Sequence, residues 1–202
     1  MEPVSLTMER AKRGDTSAFE ALVTPCEGML WRLCWRMLGS EADAQDAMQE
    51  IMVKAWQALG RFDGKASVST WLYRIGVNHC TDLLRKRRLR QAESLESLRE
   101  EQGFDPVSPG ENPAEALERK ERNAAIRRAI DALPPEQRTP LVLFALERRS
   151  YEEIAALTGV ELGTVKSRIA RARGKLAQLL QGEGNFSRAA ASNQSKGGSD
   201  HA

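Results

Sequence analysis

Apolar positions in this chain recur at three- and four-residue spacing through most of its length, the period of helices rather than strands. Between residues 42 and 59, Ala44, Met48, Ile51, Ala55 and Leu59 fall on one side of a helix, while Asp46, Gln49, Glu50 and Gln57 fall on another. Upstream, residues 8–12 and 18–38 read as helices separated by Gly14-Asp15-Thr16-Ser17, with Asp15 or Thr16 as the N-cap of the second. Phe19, Leu22, Val23, Met29, Leu30, Leu33, Cys34, Met37 and Leu38 give that second helix a broad apolar face, which Pro25 and Gly28 are placed to interrupt. Trp31 and Trp35, four apart, fit helix packing better than a stacking platform. After a polar turn at 61–65, residues 67–88 predict a helix with Leu72, Ile75 and Leu83 toward the core and a cationic block, Arg85, Lys86, Arg87, Arg88 and Arg90, at its end.

Beyond Gln91 the helical spacing disappears, and Glu, Ser, Pro, Gly and Asn take over. The periodicity returns with Leu117, Ala124, Ala125, Ile126, Ala129, Ile130 and Leu133, ahead of Pro134-Pro135. Pro135 suits the first position of a further helix, whose core positions are Leu141, Val142, Leu143, Phe144 and Leu146; Pro140 either bends that helix or delays its start. Ser150 and Glu153 form a capping box, Ile154, Ala155 and Leu157 bury, and Gly159 makes a turn. In the helix after it, Val165, Ile169, Ala172, Leu176 and Leu179 face inward and leave Lys166, Ser167, Arg168, Arg171 and Arg173 outward or flanking. A short helix, a glycine turn and a basic second helix make a helix-turn-helix. The expected fold is all-α: two small helical domains at 8–90 and 116–180, a flexible acidic linker at 91–115, and a low-complexity, disordered tail at 181–202.

Charge sharpens this picture. The formal net charge of the 202 residues is only +2, yet the basic blocks at 85–90 and 166–175 flank an acidic segment at 93–118, a segregation that points to a polyanionic partner. No apolar run approaches the roughly 20 residues of a membrane span, and the N-terminus lacks a signal-peptide layout, so the expected location is the cytoplasm, with no membrane insertion. Cys26, Cys34 and Cys80 are odd in number and without metal-ligand spacing, and the histidines are only His79 and His201; the cysteines read as reduced packing residues. With no metal cluster, phosphate loop or paired nucleophile and base, the chain is expected to be no enzyme, with no catalytic residue, metal, cofactor or small-molecule substrate.

Two stretches then carry a resemblance. The run DAMQEIMVKAWQAL, followed by RFDG and by STWLYRIGVN with a basic end, resembles the second conserved region of bacterial RNA polymerase sigma factors of the extracytoplasmic-function (ECF) group of the sigma-70 family. SYEEIAALTGV with GTVKSRIARAR resembles the fourth conserved region of the same group. On charge pattern alone the face of Asp46, Gln49, Glu50 and Val53, at i, i+3, i+4 and i+7, is a solvated stripe. The resemblance implies that it docks on the clamp coiled coil of core polymerase, with the flap of the large subunits as a further contact. It implies too that Phe62, Lys65, Ser69, Thr70, Trp71, Arg74 and Asn78 hold a base flipped from the promoter −10 element, while Arg85, Lys86, Arg87 and Arg88 hold the adjoining backbone. Without it, Phe62 reads as a plug in the helix seam. Lys166, Ser167, Ala170 and Arg171 match the group's −35 readers, with Arg168 and Arg173 toward phosphate; Ala170 is small where some relatives are bulky. The implied function is an initiation factor that binds core polymerase, reads −10 and −35 elements, answers an envelope or environmental signal, and is held by an anti-sigma factor. The competing reading, a stand-alone helix-turn-helix transcriptional regulator, requires an N-terminal ligand-binding or phosphoacceptor domain, for which the chain has neither a βα pattern nor the length.

Overall fold

A computed structural model describes residues 4–93 and 113–182, all of whose regular elements are helical. The chain enters through α1 (Val4–Lys12) and α2 (Thr16–Val23). Asp15, not Thr16, caps α2, its Oδ1 accepting from Ala18 N at 3.0 Å. The helix expected over 18–38 is interrupted by a 3-10 turn at Thr24–Cys26, because Pro25 has no N–H to carry the ladder across. Then come α3 (Glu27–Leu38) and α4 (Glu41–Ala58), the latter capped by Ser40, whose Oγ accepts from Asp43 N at 3.3 Å. Another 3-10 turn, Leu59–Arg61, leads to the long helix α5 (Val68–Glu93).

Helices α3, α4 and α5 form the first bundle around Leu30, Leu33, Met37, Ile51, Leu72 and Val77, all fully buried. Gly76 lets α5 approach α3: a Cβ there would sit 3.0 Å from Leu33 Cδ2 and 3.2 Å from Leu30 Cδ2, inside ordinary contact. Ala47 and Leu84 take core places expected for Met48 and Leu83, which are only half-buried. Both pairs border the buried arc, which is wider than one residue, so a sequence neighbour can take the inner place while the rest of the stripe stays where expected.

The second unit comprises α6 (Pro113–Asp131), α7 (Pro135–Ala145), α8 (Tyr151–Thr158) and α9 (Leu162–Gly182). Pro135 opens α7, and Pro140 neither ends the helix nor delays it; α7 runs through with the Pro140 ring buried. Leu117, Ala124 and Leu146, expected inside, are exposed; Ala125, Ala129 and Ile130 carry the inner face of α6, and Leu133 buries just beyond its end. Of the expected linker, residues 91–93 continue α5 and 113–115 open α6, while the part between, like the tail after 182, lies outside the described residues.

The two units pack on each other, and one apolar cluster runs from α2 and α3 through α5 into α7, α8 and α9. Glu147 is the polar centre of the seam: its carboxylate accepts from Arg36 Nη1 at 2.7 Å and from the Tyr73 hydroxyl at 3.1 Å. Burial, with the Glu147 charge beside it, holds the Tyr73 phenol well above its ordinary range, so this donor stays protonated. The Arg149 guanidinium covers the Tyr73 ring at 4.6 Å. Elsewhere Arg127 donates to Arg36 O at 3.1 Å and lies over Trp35, and the hydroxyls of Thr81 and Thr139 meet at 3.2 Å.

Candidate nucleic-acid interface

Two exposed faces and one half-open cleft hold the residues singled out in the sequence. On α4, Asp46, Gln49 and Glu50 are exposed together with Val53, an apolar side chain left 55% open to solvent. Beyond it Trp56, 36% exposed, meets Phe19 in a T-shaped contact at 5.1 Å. An acidic rim around an uncovered valine and tryptophan is a surface suited to a partner with cations and an apolar groove.

The turn before α5 is held locally. Asp63 Oδ1 accepts from Lys65 N at 3.1 Å, and Oδ2 pairs with Lys65 Nζ at 3.2 Å; the Lys65 backbone N–H above all keeps the carboxyl below its ordinary range. Gly64 adopts φ 73° between them, a backbone that L side chains seldom take. Ser67 caps α5, accepting from Thr70 N at 3.1 Å, and its hydroxyl meets those of Ser69 at 2.9 Å and Thr70 at 2.8 Å. The cap was missed in the sequence, although Ser67 three residues ahead of Thr70 is the usual spacing for one. Thr70, Arg74 and Asn78 are exposed at four-residue spacing along α5, and Arg85 continues that side; Ser69 and Trp71 are half-buried.

Phe62 takes the seam position that its residue type alone suggested, rather than the open one that the resemblance implied. Its side chain is buried, the ring 5.1 Å from that of Trp71, and its carbonyl accepts from Lys12 Nζ at 2.9 Å. The ring plugs the seam between helices and offers no free face to a base; a large apolar group in a polar loop is stabilised more by burial than by display. A cavity of about 290 Å³ does open beside this segment. It is lined by Ser69, Thr70, Tyr73 and Arg74 from α5 and is bordered on the other side by Arg149, Glu153 and Ala156 of the second unit.

Most of the cationic block lies ahead of the last turn of α5, which continues to Glu93; of its members Arg90 alone falls in that turn. Helix-end electrostatics fade within one turn, so a cap explains the block poorly. Its members are partly engaged: Arg85 with Asp82 at 3.2 Å, Arg87 with Asp43, and Arg88 with Glu136 of α7 at 3.8 Å. Lys86 is exposed.

In the second unit the capping box is complete: Ser150 Oγ accepts from Glu153 N at 3.1 Å, and Glu153 Oε2 accepts from Ser150 N at 2.8 Å. That backbone N–H lowers the Glu153 pKa. Gly159, at φ 69°, ends α8, and α9 then carries Val165, Ile169 and Ala172 inward. Lys166, Ser167, Ala170, Arg171 and Arg173 are exposed and Arg168 half-buried. Arg171 folds back along its own helix, donating to Ser167 O and Ser167 Oγ at 3.3 Å each. Arg173 lies 4.9 Å over Phe144, whose ring also stacks on Tyr151 at 4.9 Å, so it is tied to the packing of α7 and α8. Among the described residues no cluster of His, Cys, Asp or Glu could hold a metal ion, and no helix is long and apolar enough to cross a membrane.

Comparison with known proteins places these features. The family model for Sigma-70 region 2 matches residues 22–90, and that for Sigma-70, region 4, matches residues 123–176. The chain is similar to the RNA polymerase sigma-H factor of Pseudomonas aeruginosa, 37% identical over 86% of this chain and 92% of that one. It is 38% identical to the ECF RNA polymerase sigma factor SigM of Mycobacterium tuberculosis, over 83% of this chain and 79% of the other. In structure it resembles the sigma factor RpoE in complex with the anti-sigma factor NepR from Bartonella quintana, at TM-score 0.59 and 26% identity, covering 81% and 96% of the two chains. It also resembles CnrH in complex with the cytosolic domain of CnrY, at TM-score 0.56 and 30% identity, covering 88% and 96%.

Proposed function

The chain belongs to the extracytoplasmic-function group of the sigma-70 family and directs RNA polymerase to promoters, and from that premise we propose which of its surfaces do the work. The outer face of α4, Asp46, Gln49, Glu50 and Val53, meets the clamp coiled coil of core polymerase. Thr70, Arg74 and Asn78, with Lys65, Ser69 and Trp71 beside them, receive the −10 strand, and Arg85, Lys86, Arg87 and Arg88 track its phosphates. Lys166, Ser167, Ala170 and Arg171 of α9 read the −35 element in the major groove, with Arg168 and Arg173 toward the backbone. The role is non-catalytic and cytoplasmic, and because RpoE of Bartonella quintana is bound to the anti-sigma factor NepR and CnrH to the cytosolic domain of CnrY, a protein of that kind is the expected regulator.

The observation that carries the polymerase assignment is the coincidence of three exposed polar side chains with an uncovered Val53 on one helix face. Charge reversal by Asp46→Lys with Glu50→Lys should lower core affinity on the order of tenfold, since opposed charges become like charges. The fold should hold, because exposed substitutions shift stability by less than about 0.5 kcal/mol. Core pull-down with calorimetry checks both; full core affinity in the double variant refutes the assignment.

For the −35 helix, Arg171→Ala should cost about 1–3 kcal/mol and relax preference at one base position. Arg173→Ala should weaken all sequences alike and flatten the salt dependence, with a further stability loss of roughly 0.5–1 kcal/mol from the lost contact with Phe144. Binding curves on −35 variants at two salt concentrations separate them. Equal, sequence-independent losses would remove Arg171 from direct readout.

A further inference from the structure

Glu50 and Lys54 stand four apart on α4, the order in which an intrahelical ion pair forms most readily. Among the described residues that pair is absent. Lys54 Nζ lies instead 2.5 Å from Nδ1 of His79, which reaches across from α5 and is 3% exposed. A lysine ammonium can only donate, so Nδ1 accepts and the ring proton sits on Nε2. That nitrogen is buried, has no hydrogen-bond partner, and points toward Glu50 Oε2 at 3.7 Å, beyond hydrogen-bond length. The Glu50 side chain is left 62% exposed.

We propose that His79 is a positioning residue for the polymerase-binding face: by accepting from Lys54 it holds the ammonium off Glu50 and keeps that carboxylate unpaired for a basic group of the partner. The inference rests on the assignment of Asp46, Gln49 and Glu50 to the polymerase contact. Without His79, Lys54 swings to its helical neighbour, neutralises the carboxylate and brings a cation into a surface that meets cations. The groups facing the ring are Lys54 and Glu50 from α4 and Asp82 and Lys86 from its own helix. Burial first, then the Lys54 charge, lowers the His79 pKa, so the acceptor form is the one present at neutral pH.

The test is core affinity of the full chain across four variants, with the ring read directly by long-range proton–nitrogen NMR. His79→Leu should weaken core binding roughly two- to fivefold, the scale of one exposed helical pair plus one misplaced charge. Adding Lys54→Met to it should restore affinity, because no cation is left to occupy Glu50, and His79→Asn, which keeps an acceptor near the place of Nδ1, should bind more tightly than His79→Leu. Failure of Lys54→Met to rescue means His79 is only packing and overturns the proposal, as does wild-type affinity in a folded His79→Leu chain. NMR on the unaltered chain, which needs no variant to fold, should show the Nε2–H tautomer; Nδ1–H overturns the proposal outright. Glu50→Gln separates the two levels: undiminished affinity there counts against the interface assignment itself, whereas a loss there with none in His79→Leu counts against the His79 role alone.

Discussion

A Thr81→Cys/Thr139→Cys chain, once oxidised, should lose open-complex formation on a promoter by roughly 10³-fold or more and regain it on reduction, because a locked chain forfeits the specific contribution of one promoter element. The two hydroxyl oxygens are 3.2 Å apart across the seam between α5 and α7, and Thr139 is 2% exposed. Sulfurs in their places reach the bond length of about 2.05 Å with small rotations. The native thiols compete poorly: burial pushes Cys26 up, and contact with Cys34 together with burial pushes Cys80 up, so neither offers much thiolate.

The expectation of so large an effect is geometric. The −35 and −10 elements are about 25 base pairs apart, roughly 85 Å of duplex at about 3.4 Å per base pair. A compact body the size of the described residues has a radius of gyration of only about 15 Å. With the Arg149 guanidinium on the Tyr73 ring and α8 bordering the cavity beside Ser69, Thr70 and Arg74, the start of α5 and the helix-turn-helix are neighbours. With the −10 strand at the start of α5 and the −35 element at α9, as proposed, they cannot occupy both elements while they stay so. Permanganate reactivity of promoter thymines, compared before and after reductant and against the single Thr81→Cys chain, is the measurement. An oxidised chain that melts DNA at the reduced rate would show that the seam need not open.

The largest expected stability effect lies at Arg138. Its side chain is 6% exposed, and its Nη2 is 2.7 Å from Asp131 Oδ1, ion-pair distance, though Nε and Nη2 have no hydrogen-bond partner of good geometry. Burial pushes the guanidinium down to about 10, with Asp131 opposing the shift and the nearby Arg127 and Arg87 adding to it. Asp131→Ala leaves a buried cation between two others and should cost about 3 kcal/mol, the lower end for breaking a buried pair, since the Asp131 side chain is 43% exposed and water can partly replace it. At this chain length that is on the order of 10 °C in Tm. Arg138→Met removes the charge together with its need for a partner and should cost less than about 1 kcal/mol. Urea melts of the two variants test the asymmetry; equal costs would mean that Arg138 contributes through packing rather than charge.

Much of this molecule follows from local sequence. The apolar spacing of Ile51 and Ala55, the N-cap at Asp15, the capping box of Ser150 and Glu153, and the inward row Val165, Ile169 and Ala172 are each decided within one helical turn or a few, by hydrogen bonds and periodicity that neighbours in the chain supply. The family was legible for the same reason, since its two motifs are contiguous stretches. Other features had no local signal. Leu84 replaced Leu83 inside because α3 sets which arc of α5 is covered. Glu147 joins Arg36 and Tyr73 across more than seventy residues, and His79 takes Lys54 away from the partner that helical spacing offered it. Such contacts form between side chains whose distance along the chain says nothing of their distance in space, and only the packing of the helices decides which of them meet.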